Sequence, residues 1–126
     1  MRILVADDNE LVRRAIVGLL ASQQDLEVCG QASDGSDVIH KAVELHPDVI
    51  LLDVSMPGTS GLEATRLLKS KLPAVKILII SQHDPQQLLA CSIEMGAIGC
   101  IDKGRLATDL LPSIRKLETT SLRQTA

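Results

Sequence analysis

The chain of 126 residues has room for one domain, and with 45% hydrophobic residues it can bury a core rather than stay disordered. It contains no Phe, Tyr or Trp, so the core must be built from Leu, Ile, Val, Ala and Met, and stacking of nucleobases on aromatic rings is excluded. A formal net charge of −3 with scattered basic residues offers no patch for sequence-independent binding to nucleic acid or anionic lipid.

No apolar run approaches the ~20 residues needed to span a bilayer. Met1-Arg2 leads directly into Ile3-Leu4-Val5, too short for the core of a signal peptide. Cys29, Cys91 and Cys100 are odd in number and lack metal-ligand spacing, which fits buried thiols in a reducing, cytoplasmic compartment.

Short apolar runs alternate five times with segments of helical period. Arg2 to Ala6 reads as a strand, followed by a helix over Asn9 to Ser22 with Val12, Ala15, Ile16, Leu19 and Leu20 on one face. Glu27 to Ala32 is the second strand and Ser36 to His46 the second helix. Asp48 to Val54 is almost wholly apolar, as expected of a strand buried on both faces. The next helix spans Ser60 to Lys71, and Ser60-Gly61-Leu62-Glu63 has the form of a capping box.

Val75 to Ser81 is the fourth strand. Asp84-Pro85 then reads as an N-cap with proline at the first helical position, and Gly96 closes that helix after Met95. Gly99 to Asp102 is the fifth strand, followed by Arg105 to Glu118, where Pro112 predicts that regular helix begins only at 108–111. The pattern predicts an α/β fold, a single (βα)5 doubly wound parallel sheet with helices on both faces. Residues 119–126 are polar and read as a tail or the start of a linker beyond a domain over 1–118.

In open α/β sheets function collects at the carboxyl ends of the strands. There the sequence places Asp7 and Asp8 after the first strand, Asp53 at the end of the third, Ser81 at the end of the fourth and Lys103 after the fifth. Taken singly, each has an ordinary structural role: an aspartate as a helix N-cap, the serine as a turn hydroxyl, the lysine as a solvated side chain. Together they form a coherent set. Clustered carboxylates need a positive partner, hard oxygen ligands suit Mg²⁺, and a carboxylate can itself be the nucleophile in phosphoryl transfer.

These residues, with Asp7-Asp8-Asn9 and Leu51-Leu52-Asp53-Val54-Ser55-Met56-Pro57-Gly58, resemble the signature of two-component response-regulator receiver domains over residues 1 to 118. The stretches 27–35 and 61–65 further resemble the LuxR/NarL-type branch. The resemblance implies a flavodoxin-like strand order 2-1-3-4-5. It implies that Asp53 accepts a phosphoryl group from a sensor histidine kinase or a small phosphodonor. It implies Mg²⁺ held by Asp8, Asp53 and the backbone carbonyl of Ser55, with Asp7 acting through water. Lys103 would pair with the phosphoryl oxygens and Ser81 would move toward them, while Ser55 and His83 would tune phosphoryl lifetime. Such a domain catalyses only its own phosphorylation and dephosphorylation.

Two positions depart from the family. Cys100 stands where a switching aromatic is usual, so no ring can rotate inward there. Gly104 replaces the proline that usually follows the lysine, which predicts a trans Lys103–Gly104 bond. By the same resemblance, Ser81 would carry the signal to the face of the fourth predicted helix, fifth strand and fifth predicted helix, and phosphorylation would drive a homodimer through the face of the last helices. DNA binding would belong to a further C-terminal domain of a transcriptional regulator, and the sequence leaves open whether the chain is a fragment or stands alone. The alternative is a receiver-like interaction module that works without phosphorylation, favoured by Cys100 and Gly104. An aspartyl-nucleophile hydrolase would need a second carboxylate where Ser55 stands, and a flavin domain would need aromatics to sandwich the ring.

Overall fold

The computed structural model describes residues 1–56, 61–82 and 96–125, with side chains to 117. The elements run β1 (Arg2–Ala6), α1 (Glu10–Ala21), β2 (Glu27–Ala32), α2 (Gly35–Leu45), β3 (Val49–Asp53), α3 (Gly61–Lys71), β4 (Lys76–Ser81) and β5 (Gly99–Asp102). A 3-10 turn over Lys103–Arg105 leads into the last helix, called α4 here (Leu106–Thr125). The strands form one parallel sheet in the order β2-β1-β3-β4-β5, as the family resemblance implied. The helix expected after Asp84-Pro85 and the capping serine Ser60 lie outside the described residues.

Alternation along the strands divides the core in two. Ile3, Val5, Val49, Leu51, Leu78, Ile80 and Ile101 face α1 and α4, where they meet Ile16, Leu20, Leu110 and Ile114. Leu4, Ala6, Ile50, Leu52, Ile77 and Ile79 face the other way, against Val38, Ala42, Ala64 and Leu68 of α2 and α3. All five residues of β3 are buried, which accounts for its unbroken apolar sequence.

Local chemistry sets the helix starts. Asn9 is the N-cap of α1, its side chain accepting from the backbone N–H groups of Leu11 and Val12. Asp34 caps α2 through the N–H of Asp37 at 2.8 Å. The expectation that the last helix begins at 108–111 is corrected: α4 starts at Leu106 and runs through Pro112. Its buried residues Leu106, Leu110, Ile114 and Leu117 form one stripe against the sheet. Burying such side chains contributes about 1.5–3 kcal/mol each, more in sum than the ~3 kcal/mol cost of one internal proline. The backbone of 119–125, read from sequence as a tail or linker start, continues this helix.

Gly61 opens α3 against the backbone that leaves β3. A Cβ there would overlap the Val54 Cα and lie 2.8 Å from the Asp53 carbonyl oxygen. Only glycine allows that approach, and the approach fixes how the chain turns after Asp53. Gly61→Ala is expected to destabilise the domain by about 1–3 kcal/mol despite the better helix propensity of alanine, measured by urea unfolding. Pro112→Ala is expected to do the opposite, raising stability by about 1–2 kcal/mol through the restored bond to the Thr108 carbonyl.

Candidate functional site

The strand order places the carboxyl ends of β1, β3 and β4 side by side, with β5 next to β4. Asp7 follows β1, Asp53 ends β3, Ser81 ends β4, and all three are fully buried. Lys103 follows β5 and folds back over this edge, its side chain only 10% exposed. The pairing of Ser81 with Asp102 across β4 and β5 brings Lys103 to this height. Asp8 and Ser55 stand at the solvent-facing rim. Carboxylate oxygens of Asp7, Asp8 and Asp53 all lie within 4.8 Å of one another.

Each buried aspartate uses one oxygen for local structure. Asp7 Oδ1 accepts from the Asn9 N–H at 2.8 Å, and Asp53 Oδ1 accepts from the Ser55 N–H at 3.0 Å. Their other oxygens face the Lys103 ammonium, which lies 2.9 Å from Asp7 Oδ2 and 3.2 Å from Asp53 Oδ2. Neither Oδ2 completes a well-aligned hydrogen bond, so two buried acceptors are held by charge alone.

Burial pushes the Asp53 carboxyl above the usual carboxylate range. The Ser55 N–H and Lys103 oppose the shift, and the negative charge of Asp7 adds to it. For Lys103 burial pulls downward, but the contacts with Asp7 and Asp53 outweigh it and its pKa rises. One ammonium does not balance three carboxylates. The orphaned acceptors and the hard oxygen donors fit a divalent cation, and Mg²⁺ suits such a set because it binds through few carboxylates and keeps its waters.

Of the site residues named from sequence, Asp7, Asp8, Asp53, Ser55, Ser81 and Lys103 meet at this edge. Lys103, read alone as a surface lysine, is a nearly buried bridge between two aspartates. His83 lies outside the described residues. Cys100, at the position without its aromatic, is half-buried on β5 and packs on the α2–α3 side of the sheet. The Lys103–Gly104 bond is trans, as expected, and the Gly104 N–H is taken up by Asp102 Oδ1 at 2.9 Å. The capping role of Asn9 and the part played by Arg13 escaped the sequence reading. Asn9 is the cap that leaves Asp7 and Asp8 free of that task, and Arg13 reaches back to the Asp7 carbonyl at 2.6 Å.

Comparison with known proteins bears on the same residues. The family model described as "Response regulator receiver domain" matches residues 3–115. The response regulator GacA of Pseudomonas viridiflava is 40% identical over 91% of this chain and 54% of its own length. The transcriptional regulatory protein LiaR of Bacillus subtilis is 39% identical, again over 91% of this chain and 54% of its own. The chain therefore spans about half the length of the curated relatives it matches. Among solved structures, the signal receiver domain of the putative response regulator NarL of Mycobacterium tuberculosis superposes with a TM-score of 0.85 at 31% identity, covering 92% of this chain and 94% of that one. The response regulator domain of Thermotoga maritima CheB gives 0.84 at 31%, with the same coverage. By sequence and by fold the chain belongs to the receiver domains of two-component response regulators, whose role is phosphorylation-based signalling.

Proposed function

We propose that Asp53 is the phosphoacceptor and that this domain is switched by the phosphoryl group it carries. The observation that supports this most directly is the pair of buried, unsatisfied Oδ2 atoms facing one shared ammonium. Asp53 Oδ1 is occupied by the Ser55 N–H, which leaves Oδ2 to attack phosphorus in line with the leaving group. The donor is a phosphohistidine of a sensor histidine kinase or a small acyl phosphate. The P–O bond forms as the P–N or P–O bond to the donor breaks, and the donor imidazole or carboxylate leaves with that electron pair.

Lys103 is placed to exchange its contact with Asp53 for the incoming phosphoryl oxygens, which carry roughly −1.5 to −2 charges. Asp8, Asp53 and the Ser55 carbonyl would hold Mg²⁺, with Asp7 acting through water. The metal would neutralise charge that develops during transfer. Ser81, buried at the end of β4, would bond the phosphoryl group and relay its presence toward β5 and α4. Ser55 at the rim and His83 would govern access of the hydrolysing water. With Cys100 in place of a ring, the relay has to run through Ser81 and the packing around β5. A homodimer formed on phosphorylation and DNA binding by a further domain would belong to the parent regulator.

Intact-mass measurement after incubation with Mg²⁺ and acetyl phosphate is expected to show one added phosphoryl group, lost with Asp53→Asn and without Mg²⁺. A folded protein that gains no mass would favour the phosphorylation-independent module.

The raised Asp53 pKa also links stability to pH. Between the unfolded and folded values the native state binds more protons, so stability from this group falls as pH rises through that window. Ionised Asp53 is therefore a cost at neutral pH. Asp53→Asn is expected to raise the thermal midpoint by a few degrees in metal-free buffer, the shift that about 1 kcal/mol produces in a small domain. The gain should shrink as pH falls and Asp53 in the parent protein becomes protonated.

A further inference from the structure

Asp7 is contacted at every polar atom, although its Oδ2 lacks an aligned hydrogen bond. Its N–H donates to the Ala32 carbonyl at 3.0 Å, its Oδ1 accepts from Asn9, its Oδ2 faces Lys103, and its carbonyl oxygen accepts from Arg13 Nη1 at 2.6 Å. The first three involve strand pairing, a tight turn and the site cation. The fourth comes from a long side chain on the fourth residue of α1. Cations are disfavoured near a helix N-terminus, where the macrodipole is positive, so this placement runs against the electrostatics of the helix itself.

Arg13 is in turn braced. Its Nε donates to Gln31 Oε1 at 3.3 Å, and Gln31 pairs with Val5 across β1 and β2. The Gln31 carbonyl accepts from Lys41 Nζ, whose ammonium also pairs with Asp37 at 3.2 Å on α2. A polar chain thus runs from α2 over β2 to the peptide joining Asp7 and Asp8. Asp8 follows directly from that peptide, so its plane sets the direction in which the Asp8 backbone leaves β1.

Resting on the reading of Asp7, Asp8 and Asp53 as a Mg²⁺ site, we propose that Arg13 is a positioning residue for the metal. It locks the Asp7–Asp8 peptide so that Asp8 is presented for coordination rather than free to turn to solvent. Groups that hold ligands from behind typically change metal affinity about 10–100-fold when removed. Arg13 holds the backbone rather than the ligand atom, so a loss of about tenfold is expected.

The sign of the effect separates this role from plain electrostatics. Removing a positive charge beside an acidic cluster should tighten Mg²⁺ binding, whereas loss of positioning should weaken it. The experiment is calorimetric titration of the full chain with MgCl₂ at constant ionic strength, with folding checked by circular dichroism, for the parent protein, Arg13→Met, Arg13→Lys and Arg14→Met. Arg14, on the same helix, pairs with Glu10 at 3.1 Å and supplies the matched loss of charge.

Arg13→Met is expected to bind Mg²⁺ about tenfold more weakly. Arg13→Lys, which keeps the charge but not the fork, should fall in between, and Arg14→Met should match the parent or bind slightly tighter. Binding by Arg13→Met as tight as the parent, or tighter, would overturn the proposal. Should Arg13→Met not fold, Arg13→Lys decides: weaker than both the parent and Arg14→Met supports it, and equal to them overturns it. A parent protein that binds no Mg²⁺ would overturn the metal site and this inference together, a result distinct from unchanged binding in the variant.

Discussion

The bridge that Lys103 makes between Asp7 and Asp53 is the interaction on which the rest of the site depends. Two fully buried carboxylates at one sheet edge are not both ionised readily without a cation, because desolvation and mutual repulsion both act against their charged forms. Lys103 relieves this in part, at 2.9 and 3.2 Å, and the poor alignment of both contacts leaves acceptor capacity over. A fully satisfied network would be inert. This one keeps two buried oxygens with acceptor capacity to spare, a hard donor set that fits a divalent cation.

The fold exists in this form because the strands alternate and the sheet is covered twice. Odd and even positions of β1, β3 and β4 fill separate cores, and the polar residues Asp53 and Ser81 come only at the last position of their strands. The order β2-β1-β3-β4-β5 then brings together residues from distant parts of the chain. Gly61 belongs to the same scheme, since its missing Cβ lets α3 press against the turn that carries Asp53 into Ser55.

Much of this was legible in the sequence because its signals are periodic or local. The five strands announce themselves as apolar runs, and the polar residues at their carboxyl ends are Asp7, Asp8, Asp53, Ser81 and Lys103. The strand order was legible only through family resemblance, since nothing in hydrophobic period distinguishes one parallel order from another. The start of α4 was misjudged because a proline rule is local, while the stripe Leu106, Leu110, Ile114 and Leu117 gains its stability from a sheet distant in sequence. Arg13 escaped for a similar reason: a long side chain on an amphipathic helix gives no sign of which carbonyl it will reach. The pairing of Lys103 with two aspartates was equally invisible, because sequence shows which charges exist and only packing shows which are denied water.

β5 is four residues long, sits at the edge of the sheet and among the described residues pairs as a strand only with β4, yet it leads directly into the lysine that faces the buried carboxylates. The attraction acts in both directions. Opening the edge strand would strand two charges in the interior, so the carboxylates clamp an element that its own short ladder would hold only weakly. Whatever changes the charge at Asp53 therefore changes the tension on β5, and a chain without any aromatic side chain still carries a readout of that charge: the rate at which the backbone amides of Cys100 and Ile101 exchange with solvent.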